Sequence, residues 1–254
     1  MATQRPDAEV VDQKAIALKI KGLIGHGAWR VLTRPVAWGL KMMPKGMLYK
    51  AGLAARRGKY PYSTIQPGDT VVQVGAPHDL LKIGRSRAAF YAMLVGPTGR
   101  LFIFEPEPVS AAAMQDHIRN VGLDDRVTVI AKGCWSSERV LRFWSNPDHP
   151  ASNLLEDVSE WDEAELRARH YQPSEVPVTT IDSVLAEAGP VRLVSVTTNG
   201  SEEEILTGGR ETLARTEYLA LAETGPEVEA LSQKFGFRNV ALDDRGFTSR
   251  RVAD

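Results

Sequence analysis

The chain has 254 residues, of which 43% are hydrophobic and 25% are charged, and its formal net charge is −1. This length and composition indicate one α/β domain with an appendage, or two small domains, and exclude wholesale disorder and a collagen-like repeat. The longest stretch without Asp, Glu, Lys or Arg spans 12 residues, 88–99. A membrane-spanning helix needs about 20 apolar residues, so none is predicted.

The cysteine count, the histidine spacing and the N-terminal residues indicate the cellular compartment and whether a metal site is expected. The N-terminal residues include acids and no apolar run, which predicts no secretory signal. Cys134 is the single cysteine, so no internal disulfide can form and a reducing, cytoplasmic setting is expected. The five histidines lack metal-ligand spacing, so no metal site is expected.

Charge is distributed unevenly along the chain. Residues 1–60 carry 12 basic and three acidic side chains, a net charge of +9, whereas residues 61–254 carry −10. Within 1–60, apolar residues recur on one helical face, at Ile16, Ile20, Leu23, Ile24 and Val31. The sequence therefore predicts a basic amphipathic helical segment at 1–60, appended to a domain at 61–254.

Two partners are compatible with this basic segment. A basic amphipathic helix with Trp binds an anionic membrane surface, so peripheral membrane association is one alternative. The other is that the helices pack on the main domain or on a protein complex, with their lysines in water. Nucleic acid is not expected, because the segment has no base-reading pattern and the main domain is acidic.

From about residue 62 the pattern alternates between strands and helices. Strands are predicted at 70–74, 101–104, 126–130, 140–144, 191–196 and 218–222, with a closing hairpin at 238–242 and 247–252. Helices are predicted at 84–93, 111–121, 180–188, from a capping box at Ser201, and at 226–235. Residues 146–175 are predicted to be a loop-rich acidic stretch. The alternation predicts a doubly wound, mostly parallel α/β sheet with helices on both faces.

Ligands of such sheets bind beyond the carboxyl ends of the strands, at the topological switch point. Two places there attract attention. Small residues follow the first strand at Gly75 and Ala76, and Glu105 ends the second strand, where a carboxylate can accept hydrogen bonds from both ribose hydroxyls. The 30 residues between Gly75 and Glu105 exceed the roughly 20 of a dinucleotide fingerprint, and no phosphate-binding glycine motif is present. NAD and nucleoside triphosphates are therefore poorly supported.

Several segments together resemble the FkbM family of S-adenosylmethionine (SAM)-dependent methyltransferases. They occur in the family's order over roughly residues 65–225, at 68–76, 95–100, 102–108, 119–129, 176–182, 200–206 and 211–215. The resemblance implies a seven-stranded, Rossmann-like class I methyltransferase fold. It also implies metal-free methyl transfer from SAM to a hydroxyl of a small molecule or glycan.

The resemblance implies a set of cofactor-binding residues. Gly75 and the turn after it would lie against the methionine part of SAM, Glu105 would hold the ribose hydroxyls, and Cys134 would lie near the adenine. The remaining members of the predicted set flank these positions, at Gln73, Ala76, Gly84 and Pro106.

Methyl transfer to an alcohol oxygen needs in-line alignment and a general base nearby. The candidates for this catalytic role are Asp182 and His149, with His170 as a further histidine in the same loop-rich region.

Two motifs depart from the family's pattern. The first motif has Gln73 where the family has an acid, and about six extra residues separate Gly75-Ala76 from Gly84. The family's Lys-x-Asp-x-Glu-Gly is replaced by a neutral sequence, with Ser195, Thr197 and Asn199 at the ionisable positions. Two hypotheses follow. The chain is an O-methyltransferase whose base lies elsewhere, or it is a methyltransferase-like scaffold or accessory subunit that has lost catalysis and docks through its basic segment.

Overall fold

The computed structural model describes residues 45–155 and 161–252. The predicted amphipathic face at 16–31 lies outside these residues. The compact unit that carries the sheets begins at Tyr49. None of the described helices combines the length and the hydrophobicity that a bilayer span requires.

The described strands form two sheets. In chain order they are β1 (Thr70–Val74), β2 (Arg100–Phe104), β3 (Val127–Ile130), β4 (Gly133–Cys134), β5 (Arg139–Ser145), β6 (Leu154–Leu155), β7 (Gln172–Thr179), β8 (Val191–Val196), β9 (Thr216–Leu221), β10 (Phe237–Leu242) and β11 (Phe247–Arg251). Half of β7 and all of β6 lie where a loop was predicted, and that prediction was wrong. Pro173, Glu175 and Pro177 interrupt the apolar pattern, yet Val176 and Val178 are buried and the strand pairs with β5.

The described helices are α1 (Lys45–Ala54), α2 (His78–Lys82), α3 (Arg87–Leu94), α4 (Pro108–Asn120), α5 (Glu163–Ala168), α6 (Ile181–Val184), α7 (Glu202–Thr207), α8 (Arg210–Ala214) and α9 (Pro226–Lys234). Several predicted boundaries or caps were wrong, among them the end of α6, which lies at Val184 rather than at residue 188. Helix α3 begins at Arg87 rather than residue 84, because Ser86 caps it by accepting the Ala89 N–H. Helix α4 begins three residues early, because Glu107 accepts the first free N–H groups. Ser201 precedes α7 as predicted but makes no side-chain cap.

The main sheet has seven strands in the order β10-β11-β9-β8-β1-β2-β3. Neighbours from β9 to β3 are parallel, and β11 is antiparallel to both β9 and β10. The chain begins in the middle at β1, builds outward to β3, and returns to the other side of β1 with β8. The topological switch point therefore lies between β1 and β8, and the predicted doubly wound, mostly parallel seven-stranded fold is confirmed.

Both faces of this sheet are buried, as expected for parallel strands covered by helices. Val71 and Leu193 pack with Phe90 of α3 and Met114 of α4 on one face. Their neighbours on the other face belong to a second apolar cluster, with Val72, Val74, Val194, Val196, Ile205 and Leu213 among its members. The alternation along each strand follows from the two-residue period of β structure.

The second sheet is an insertion between β3 and β8, in the order β4-β7-β5-β6. Its apolar residues form a separate cluster that includes Trp135, Phe143 and Leu155. Because β3 ends and β8 begins on either side of this insertion, the small sheet can supply walls to a site at the main sheet's edge.

Residues 49–60, the end of the predicted basic segment, pack on the main domain. Tyr49 is buried, donates a hydrogen bond to the Leu81 carbonyl (2.9 Å) and meets the Phe90 ring edge-on. Arg56 lies over the same ring and reaches the Asp244 carboxylate at 3.5 Å. Residues 49–60 therefore pack on the main domain, whereas the partner of the basic segment stays a prediction.

Candidate functional site

A partly open cleft of about 560 Å³ lies at the carboxyl ends of β1, β2 and β8. This is the switch point of the main sheet, where ligands of doubly wound folds bind. The floor and sides include Val74, Gly75, Pro77, Glu105, Pro106, Gly133, Cys134, Thr197, Thr198, Asn199, Ser201 and Ile205. Phe143 and five residues of the segment 150–155, here called the roof segment, complete the lining.

Gly75 forms the tight turn that ends β1. Its φ is +82°, a left-handed conformation that L side chains rarely adopt, and a Cβ atom would lie 2.4 Å from the Thr197 carbonyl oxygen. The turn therefore presses against the tip of β8, and the Thr197 N–H donates to the Val74 carbonyl at 2.9 Å. Only glycine fits this position without displacing the backbone.

Gln73 lies behind this turn and does not line the cleft. It is fully buried, and its Nε2 lies 2.8 Å from Thr197 Oγ1 and 2.8 Å from the Gly75 carbonyl oxygen. Within the described chain its Oε1 has no hydrogen-bond partner. Gln73 was predicted to bind the cofactor, but its hydrogen bonds hold the turn at Gly75, and it is this turn that lines the cleft.

Glu105 is the buried acid of the cleft, with 5% of its surface exposed. Its Oε2 accepts the Ala76 N–H at 2.6 Å, and its Oε1 accepts the Glu107 N–H at 3.0 Å. Burial raises the pKa of Glu105 to about 7, and the charges of Glu107 and Asp79 add to this effect, while the two N–H donors oppose it. A ligand hydroxyl that donates to this carboxylate would stabilise its ionised form.

Cys134 contributes an apolar wall. The side chain is 3% exposed and lines the cleft beside Gly133. Burial raises the pKa of the Cys134 thiol well above its usual range, so the group is a neutral thiol at physiological pH. It is suited to packing against a flat apolar ligand.

The predicted site residues divide into four groups. Gly75, Glu105, Pro106 and Cys134 line the cleft, and Gln73 and Ala76 lie directly behind it. His149 is exposed and immediately precedes Pro150 of the roof segment. The others are absent from the lining, namely Gly84 with φ +69°, His170 with φ +68°, and Asp182.

Asp182 caps helix α8. Its two carboxylate oxygens accept the N–H groups of Glu211 (3.0 Å) and Thr212 (2.7 Å). These hydrogen bonds satisfy free donors at the start of a helix, which is a common role for Asp. The catalytic role proposed for Asp182 stays a prediction.

The neutral residues at the tip of β8 have structural partners. The Ser195 hydroxyl accepts from Tyr91 at 3.2 Å, and Thr197 Oγ1 lies 3.0 Å from the Gly75 carbonyl oxygen. Asn199 Nδ2 donates to the carbonyl oxygens of Ala151 (3.1 Å) and Asn153 (2.8 Å), both in the roof segment. The altered motif therefore joins β8 to the first-strand loop on one side and to the roof on the other.

Sequence reasoning missed Ser201 and the roof segment. Ser201 is 6% exposed and lines the cleft, and its position directly after the Lys-x-Asp-x-Glu-Gly motif is a signal that was available. The roof segment carries no such signal, because it consists of one helical turn and the two-residue strand β6. Its place over the cleft depends on tertiary pairing with β5.

This strand order, with its switch-point cleft and a buried acid at the end of β2, defines a Rossmann-like domain of the class I methyltransferase type. The family model described as the methyltransferase FkbM domain matches residues 73–248. Because that match covers more than half of the chain, the protein belongs to the FkbM methyltransferase family.

The individual relatives and solved structures that resemble this chain share low sequence identity with it. The chain is 28% identical over 137 residues to the 2-O-methyltransferase NoeI of Sinorhizobium fredii, a match that covers 48% of this chain and 53% of NoeI. The chain thus spans about half the length of this curated relative. The FkbM methyltransferase of Methylobacillus flagellatus is similar with 14% identity and a TM-score of 0.45, covering 88% of this chain and 60% of that one. A methyltransferase of Geobacter sulfurreducens has 13% identity and a TM-score of 0.43, covering 96% and 98%.

Proposed function

We propose that the cleft binds SAM and that the protein transfers its methyl group to a hydroxyl of a small molecule or glycan. Membership of the FkbM family supports methyl transfer, and the name of the relative NoeI supports an oxygen acceptor. The observation that carries the proposal is Glu105, a buried carboxylate at the end of β2 that faces the switch-point cleft.

The residues present fit an adenosyl ligand. Each oxygen of Glu105 accepts one backbone N–H, which leaves a lone pair on each for a ribose hydroxyl. Gly75 offers backbone without a side chain, and Cys134 offers a neutral apolar wall.

The chain's contribution to the reaction is orientation and exclusion of water. When bound, SAM supplies an electrophilic methyl group on a sulfonium. Glu105 would hold the ribose, and the roof segment with Phe143 would shield the reacting atoms from solvent. His149 remains the predicted base, because it immediately precedes a residue of the roof.

Calorimetric titration with SAM and with S-adenosylhomocysteine (SAH) tests the cofactor site. The wild-type chain is expected to bind both with micromolar affinity, and Glu105→Ala is expected to lose binding while keeping its fold. Glu229→Ala, which removes an exposed carboxylate on α9, is the matched control and should bind like the wild type. No binding at millimolar ligand by a folded protein would overturn the proposal.

A second function, a binding subunit without catalysis, has one observation in its favour. Among the described lining residues, Glu105 and Cys134 are the ionisable side chains, and the β8 positions that are ionisable in the family are neutral. This alternative predicts weak or absent SAM binding and recovery of the protein with a membrane or a partner complex. The same titration therefore separates the two functions.

A further inference from the structure

The two departures from the family's motifs meet at the roof of the cleft. The extra residues after Gly75-Ala76 form α2, and α2 packs beside the helical turn Pro150–Ser152 of the roof segment. Asn199, at the altered β8 motif, donates to two carbonyl oxygens of the same segment. The extra residues of α2 and the changed residue Asn199, both departures from the family's motifs, therefore contact the same element, the roof segment.

Asn199 uses its amide in a way that a carboxylate could not reproduce. Both contacts run from Nδ2, at 3.1 Å and 2.8 Å, to carbonyl oxygens, which only accept hydrogen bonds. A Glu or Asp side chain has no N–H and would place a negative charge against two carbonyl dipoles. The amide at residue 199 is therefore what permits this contact between β8 and the roof.

The rest of the roof is held from its outer side. Asn153 Oδ1 accepts the Asn146 N–H at 2.8 Å, and Tyr171 Oη donates to the Ser152 carbonyl at 3.1 Å. Strand β6 pairs with β5 at two residue pairs. Because the strand is so short, side-chain hydrogen bonds contribute to the attachment of the segment, and Asn199 adds two of them from the β8 side.

We propose that Asn199 is a positioning residue that clamps the roof segment over the cleft and so sets how long an adenosyl ligand is retained. The retention role rests on the proposed function, because it needs SAM or SAH in the cleft. Ala151, Asn153, Leu154 and Leu155 line the cleft directly, so release of the segment would uncover the bound ligand.

Asn199→Asp tests the clamp, because it replaces the amide by an isosteric carboxylate at an exposed position. Hydrogen–deuterium exchange of the free protein is expected to rise at residues 150–155. In stopped-flow displacement, SAH dissociation is expected to be about tenfold faster, corresponding to about 1.4 kcal/mol, the net value of a hydrogen bond. The melting temperature should fall by no more than a few degrees. Asn120→Asp, at an exposed residue of α4, is the matched control and should change none of these quantities.

Each outcome decides a part of the proposal. Unchanged exchange at 150–155 in Asn199→Asp would overturn the clamp. Raised exchange with unchanged SAH dissociation would overturn the retention role. If the wild type binds neither SAM nor SAH, the proposed function fails and retention fails with it, while the exchange result still decides whether Asn199 clamps the roof.

Discussion

Gln73 and Ser195 are register partners on the neighbouring parallel strands β1 and β8, and both are fully buried. Paired residues of parallel strands point to the same face, so these side chains are neighbours. They occupy the positions where the FkbM pattern has an acid and a lysine. Both residues are neutral in this chain. Replacing the acid and the lysine together leaves no buried charge without a partner, whereas replacing only one would leave a buried charge unpaired and strongly destabilise the fold.

Gln73→Glu restores one of these charges and should destabilise the fold by about 2–4 kcal/mol. The new carboxylate would be buried beside the carbonyl oxygens of Val74 and Gly75, with no cation at Ser195. Burial would raise the pKa of this new carboxyl group. The loss of unfolding free energy should therefore grow as the pH rises above the pKa of an exposed Glu. Denaturant unfolding at pH 5 and pH 8 measures both effects.

Gln115→Glu controls for the same chemical change at an exposed position of α4 and should leave stability within about 0.5 kcal/mol of wild type. Equal stability of Gln73→Glu and Gln115→Glu would contradict the assignment of Gln73 to a neutral buried network.

The sequence revealed the two changed motifs but not their relation. Strand register is set by tertiary pairing, so the adjacency of Gln73 and Ser195 could not be derived from their separation along the chain. The main strands and the switch point were predictable, because β-branched runs at 70–74 and 191–196 are bounded by turns. Strand β7 and the roof segment were not, because prolines and short length hide them.

Gly75→Ala should abolish SAH binding and destabilise the fold more than the same change at Gly122. Both glycines have positive φ, +82° and +68°, so both substitutions carry a left-handed strain of about 1–2 kcal/mol. At Gly122 a Cβ meets nothing within 4 Å, whereas at Gly75 it lies 2.4 Å from the Thr197 carbonyl oxygen. The difference in unfolding free energy between the two variants measures the cost of the steric clash. Equal unfolding free energies would show that the turn at Gly75 shifts enough to accommodate a Cβ atom.

A buried ion cluster fixes the closing hairpin to α3. Arg87 is 2% exposed and donates to the carboxylates of Asp243 and Asp244, the second at 2.7 Å, and Tyr62 donates to Asp244 at 2.9 Å. Asp243 also accepts the N–H groups of Arg245 and Gly246. Sequence gave no sign of this pairing, since the partners are 156 residues apart and a helical Arg is normally exposed.

Asp243→Ala should cost about 3–5 kcal/mol of unfolding free energy, because it leaves a buried guanidinium short of a counter-charge and frees the turn amides. Asp116→Ala, which removes an exposed partner of Arg119 on α4, should cost less than about 1 kcal/mol. Chemical denaturation of both variants gives the comparison. A small effect at Asp243 would mean that Asp244 alone compensates Arg87.

Affinity for SAH should rise about tenfold between pH 6 and pH 8, because Glu105 has a pKa of about 7 and its ionised form is the better acceptor for ribose hydroxyls. Binding near pH 7 should therefore release a proton, which titrations in buffers of different ionisation enthalpy detect. The stability effect has the opposite sign. The folded carboxyl holds its proton to a higher pH than the unfolded one, so the unfolding free energy falls as the pH rises from about 4.5 to 7, by at most about 1.4 kcal/mol per pH unit.

Glu105→Gln should flatten both pH profiles, and Glu229→Gln should leave both unchanged. Equal SAH affinity at pH 6 and pH 8 in the wild type would show that the ligand does not contact the Glu105 carboxylate. Since that carboxylate is the feature on which the cofactor site depends, this result would move the adenosyl group elsewhere in the cleft.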